Sequence, residues 1–181
     1  MARTYIALLR GVNVGGNTLS MERLRGLGAE FGLRNARTYV QSGNLVFEAD
    51  RTAAHWSATL ERALAGKSRL PIRVLVRTGA EIAAVVERNP FLREKGIEPA
   101  RLYVTFLNRA PAKPALAALS AIDAGADRLH RAGLEVYLHC PTGYGRSKLN
   151  NNVIERALGI TATTRNWRTV TVLAEMAAGR G

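Results

Sequence analysis

The chain has 181 residues, of which 47% are hydrophobic, long enough to bury a core as one domain or as two small ones packed together. No run of about 18 apolar residues exists to cross a bilayer, and the start Met1-Ala2-Arg3-Thr4-Tyr5 moves into strand-like sequence without a secretory leader, so a soluble, cytoplasmic protein is expected. The single cysteine, Cys140, excludes an internal disulfide and, with three histidines, leaves no credible zinc cluster, so no metal and no cofactor are expected.

Thr4 to Leu9 is an apolar run that ends on the glycine-rich loop Gly11-Val12-Asn13-Val14-Gly15-Gly16, which reads as a buried strand followed by a tight loop. Ser20 is placed to cap a helix carrying Leu24, Leu27 and Phe31 on one stripe. Arg37 to Val40 and Leu45 to Glu48 flank the turn Gln41-Ser42-Gly43-Asn44 as a hairpin. Trp56, Leu60 and Leu64 then mark a second helix, and Ile72, Val74 and Val76 alternate with Arg73 and Arg77 along a strand. Thr78 with Glu81 forms a capping box for a helix to about Arg88.

The plan then starts again. Leu102 to Leu107 reads as a strand, Pro114 to Ile122 as a helix, and Arg128 to His130 with Leu134 to His139 as a hairpin. Ser147 is expected to cap a helix carrying Leu149, Val153 and Leu158 and closed by Gly159, and Asn166 a last helix carrying Trp167, Val170 and Leu173. Only Ile160 to Thr163 is available for a fourth strand, which leaves the second copy open to being incomplete.

A β-α-β-β-α-β order in one antiparallel sheet is the ferredoxin-like arrangement. The expected class is therefore α+β, with two ferredoxin-like halves, residues 1–90 and 100–181, joined by a loop at 91–99 and packed into one compact unit. The first strand is apolar on both faces, as in a sheet covered on both sides.

Three segments together carry a family likeness: Ala7 to Gly16, then Arg37 to Asn44, and finally Gly143 to Leu149 leading to Thr161 to Trp167. In order and spacing they resemble the uncharacterised bacterial family called domain of unknown function 1697, and Asn89-Pro90-Phe91 fits it as well. The resemblance runs from about Thr4 to Glu175 and implies an α+β fold of two similar halves, with no activity and no catalytic residues to carry over.

The charge of +12 makes a phosphate-bearing partner or a nucleic acid a question to ask, although an arginine-rich solvated surface would give the same number. The densest cluster lies between Pro141 and Thr171, where Arg146, Lys148, Arg156, Arg165 and Arg168 face one acid, Glu155. Arg146, Ser147 and Lys148 at one expected helix start, and Arg165, Asn166 and Arg168 at another, combine free backbone N–H groups with cations. The plainer reading of both is a glycine turn and a capping residue with exposed charges.

A second candidate follows from topology. Strands one and two of a ferredoxin-like half point the same way, so Arg10 and Asn13 should meet Gln41, Ser42 and Asn44 at one end of the first sheet. Such a pocket would suit an enzyme or small-ligand receptor, whereas the plainer reading has these Asn and Ser side chains bonding their own loops. An RNA-recognition surface would need Tyr103 and Tyr137 on an open face of the second sheet, whereas the plainer reading packs both against the other half. Enzyme templates find no footing: Asp50, Asp123 and Asp127 lack a paired carboxylate at a useful spacing, and Ser42 is not in a nucleophile elbow.

Overall fold

The computed structural model describes residues 2–13, 18–65 and 71–180. By internal contacts these fall into two units: one runs to Ala84 and takes in the residues from Thr171, and the other is Val85–Val170.

The first unit holds β1 (Arg3–Arg10), α1 (Met21–Glu30), β2 (Arg34–Thr38), β3 (Asn44–Ala49), α2 (Ala53–Leu64) and β4 (Arg73–Thr78). Its sheet runs β2-β3-β1-β4, antiparallel throughout, which is the ferredoxin-like order. Alternation along β1 sends Tyr5, Ala7 and Leu9 into the core beneath α1 and α2, together with Leu24, Leu27, Leu60 and Leu64. There Phe47 stacks on Tyr5 at 5.7 Å and meets the edge of Trp56 at 5.9 Å. Each such ring or aliphatic side chain contributes about 1.5–3 kcal/mol by leaving water. Ile6 and Leu8, on the other face of β1, are also fully buried. The Ser20 cap is as expected, its hydroxyl accepting from Arg23 N at 3.1 Å.

Helix α3 (Gly79–Glu87) begins on the expected capping box, with Glu81 N donating to Thr78 Oγ1 and Thr78 N to Glu81 Oε2 at 2.7 Å. The second unit continues with β5 (Leu102–Leu107), α4 (Lys113–Ser120), β6 (Arg128–Ala132), β7 (Glu135–His139), α5 (Asn151–Leu158) and β8 (Ala162–Asn166). Helix α6 (Trp167–Ala177) follows directly. The sheet order β6-β7-β5-β8 repeats that of the first unit. The second copy is therefore complete. Its fourth strand lies over Ala162–Asn166, where β-branched Thr163 and Thr164 favour extension and pair with Phe106 and Thr105.

The repeat extends to single side chains. Thr78 and Asn166 close the fourth strand of their sheets and cap the helix after it, Asn166 Oδ1 accepting from Thr169 N at 2.8 Å. Glu61 on α2 accepts Val74 N at the start of β4, and Glu155 on α5 accepts Ala162 N at the start of β8, both at 2.8 Å. Arg77 and Arg165, one residue before each cap, are both buried.

Two expectations need correction. Ser147 does not cap α5: Asn150 does, through Val153 N at 3.1 Å, and the helix starts four residues later than the serine. Tyr103 and Tyr137 do not share a face. Tyr103 pairs with Leu138 and packs with the helix-side core, whereas Tyr137 pairs with Val104, is buried, and donates its hydroxyl to Val85 O at 3.1 Å. A stacking platform for bases would require both rings to be open to solvent on one face.

Candidate functional site

The register of the second sheet decides what meets at each end. Leu102 pairs with His139, Arg128 with His139, and Tyr103 with Asn166. One end therefore collects the start of β5, the loop before β6, the loop after β7 and the junction of β8 with α6. These are the segments that carry Arg101, Asp123, Arg146, Ser147, Lys148, Arg165, Asn166 and Arg168.

The loop after β7 is held firmly. Cys140 N donates to Arg101 O at 2.9 Å and Gly143 N to Cys140 O at 2.9 Å, while Gly143 adopts φ 90, a conformation that glycine takes without strain. A short 3₁₀ turn, Tyr144–Arg146, follows, and the Tyr144 ring lies 5.0 Å from that of Tyr103. Ser147 is buried beneath it, its Oγ accepting Leu149 N at 2.9 Å and lying 3.5 Å from Cys140 Sγ. The hydroxyl thus shapes the loop rather than facing solvent. Burial pushes the Cys140 thiol up from its ordinary pKa, which keeps it neutral.

Above this framework Arg101, Arg146, Lys148, Asn166 and Arg168 are exposed. Lys148 Nζ reaches Asp123 Oδ2 at 2.8 Å, a pair whose side chains are 59% and 85% exposed. Such exposed pairs are worth about 0–1 kcal/mol, so the lysine is loosely held. Arg101 Nε lies 3.8 Å from Glu98 Oε2, a pair whose side chains are 44% and 75% exposed. Arg146 has no ion-pair partner among the described residues. Arg165 differs from the rest. It is buried on β8, donating to Thr163 Oγ1 at 2.8 Å and Thr164 O at 2.9 Å, and desolvation lowers its pKa to about 10. It anchors the strand end from within and does not reach solvent as a contact residue would.

Of the six residues expected to form this surface, Arg146, Lys148 and Arg168 are its exposed cations, Asn166 is a cap at its edge, and Ser147 and Arg165 lie under it. Sequence reasoning missed Arg101 and Asp123, whose signal is the strand register, a property no local pattern carries.

The other candidate also assembles. Leu9 N donates to Gly43 O at 2.9 Å, so the loop after β1 meets the turn after β2. Asn13, at φ 54, joins them: its Oδ1 accepts Leu19 N at 3.0 Å and its Nδ2 donates to Leu19 O and Gln41 O. Asn44 is fully buried and donates to Tyr39 O and Ser42 Oγ, both at 2.9 Å. The Asn13 amide thereby ties its loop to the turn after β2, and the Asn44 amide braces that turn from within. Arg10 ends β1, and Gln41 and Ser42 are exposed; Val14, Gly15 and Gly16 lie outside the described residues.

Residues 2–137 match the family described as "Protein of unknown function (DUF1697)". The chain belongs to that family. The DUF1697 match stops at Tyr137, before the basic loop begins. The chain is also similar in fold to the conserved bacterial protein SP0830 from Streptococcus pneumoniae, with a TM-score of 0.80 and 21% identity, covering 98% of this chain and 99% of that one. No curated protein matches the sequence. Among the described residues, no helix is long and apolar enough to cross a membrane.

Proposed function

We propose that the chain binds a phosphate-bearing ligand, a nucleic acid strand in the first instance, at the end of the second sheet where Arg101, Arg146, Lys148 and Arg168 are exposed. One observation carries the reading: the register that ends β7 and β8 on either side of the start of β5 brings cations from separate segments to one end of the sheet. Two carboxylates that face these cations, Glu98 and Asp123, are themselves exposed, and Asp123 bonds Lys148 directly at 2.8 Å. A phosphodiester chain supplies anions at a repeat that several such cations can share, and each neutralised phosphate releases condensed counter-ions.

The loops at Asn13 and Asn44 support a small-ligand pocket less well, because their amides already bond the loop backbones. Fluorescence titration of labelled single- and double-stranded DNA tests the proposal. With three to five phosphates engaged on a duplex, log affinity should fall with log salt at a slope of about −3 to −4.5. The double variant Arg146→Ala/Lys148→Ala should flatten that slope by about 2. No binding at low salt, or an unchanged slope in the variant, would end the proposal.

A further inference from the structure

The pairing of Lys148 with Asp123 has a function of its own if the basic end binds phosphates, and the inference rests on that reading. We infer that Asp123 is an in-cis competitor: its carboxylate occupies the position on Lys148 that a ligand anion takes, so it sets the affinity threshold of the site. Lys148 lies in the loop after β7 and Asp123 in the loop between α4 and β6, 25 residues apart in sequence. The two are not neighbours on one helix, where a chance ion pair is commonplace. The carboxylate is also positioned. Its Oδ1 accepts Gly125 N at 3.1 Å, and Gly125 takes φ 61 to turn the chain back. Oδ2 is left to meet Nζ at 2.8 Å. The lysine and the Gly125 N–H hold the Asp123 carboxyl below its ordinary range, so it stays charged across neutral pH.

An anion arriving at Lys148 therefore exchanges with a carboxylate instead of with water and counter-ion alone. A ligand offering a single weak contact gains little by that exchange. One that also engages Arg146 or Arg168 gains from the second contact and prevails. Because the pair is exposed to solvent, the competition is mild, a matter of a few-fold in affinity.

Fluorescence titration of a fluorescein-labelled oligothymidine against the full chain tests this. Wild type, Asp123→Asn, Lys148→Ala and the double variant would each be measured at several salt concentrations. Asp123→Asn should bind about 1.5- to 5-fold tighter than wild type and steepen the salt slope by about 0.7, one single-strand phosphate's worth. In the Lys148→Ala background the same substitution should change neither quantity. An equal gain in both backgrounds would show only a change of net charge and would overturn the inference, as would no gain in either. In those two cases the binding reading survives. Absence of binding by every variant at low salt would remove both.

Discussion

Tyr137 shows what a single side chain contributes. Its ring is buried in the second unit and its hydroxyl donates to Val85 O, so Tyr137→Phe should cost about 1 kcal/mol by leaving that carbonyl without its donor. Burial pushes the phenol up to about 12, from an ordinary value near 10. A raised acid keeps its proton in the folded state while the unfolded chain loses it. The tyrosine's contribution is thus complete below about pH 10 and is lost as pH rises to about 12. Urea unfolding of both proteins should show wild type losing ground to the phenylalanine variant between pH 9 and 12, by on the order of 2 kcal/mol. A constant difference across that range would refute this account of the residue. At the same scale, sequence reasoning placed Tyr103 and Tyr137 on one face of the second sheet, with packing against the other half as the plainer reading. The alternation within each strand was legible, but the register between strands was not, because the bulge or turn that sets it lies outside the strand itself.

Among the elements, three helix starts were readable from their capping residues. Ser20, Thr78 with Glu81, and Asn166 all act where local chemistry puts them. Ser147 misled because Asn150, Asn151 and Asn152 follow it, and a serine can equally close a turn on the residue two ahead, as it does with Leu149. The fourth strand of the second sheet was read short because Thr163, Thr164, Arg165 and Asn166 are polar, whereas the sheet buries Thr163 and Arg165 and supplies their partners. Asn166 is then better understood as the counterpart of Thr78 than as a ligand contact. Asn166→Ala should cost about 1 kcal/mol of stability in urea, as Thr78→Ala should, and leave the affinity for DNA unchanged. A weakened affinity in a folded Asn166→Ala variant would return the residue to the binding surface.

For the whole molecule, the +12 charge draws any polyanion, so binding alone does not identify a site. Arg23 and Arg51 are exposed in the first unit. Removing both by alanine changes net charge by the same amount as Arg146→Ala/Lys148→Ala. If the basic end of the second sheet is the site, the first pair of substitutions should weaken oligothymidine binding by less than half as much on a logarithmic scale. Equal losses would mean that the general field of the protein does the binding. The doubled architecture itself was legible, because each half repeats its own hydrophobic periods and turn residues. Which end of which sheet gathers charge followed only from the strand pairing.

Cys140 closes β7 immediately before the basic loop, sealed from water and hydrogen-bonded to Ser147. A thiol reagent can attack it only after that loop has lifted, since neither access nor ionisation is available before. The chain thus carries a native stopwatch: the pace of alkylation records how often the floor of the basic surface opens, and a molecule resting on that surface would slow the clock without any label being introduced.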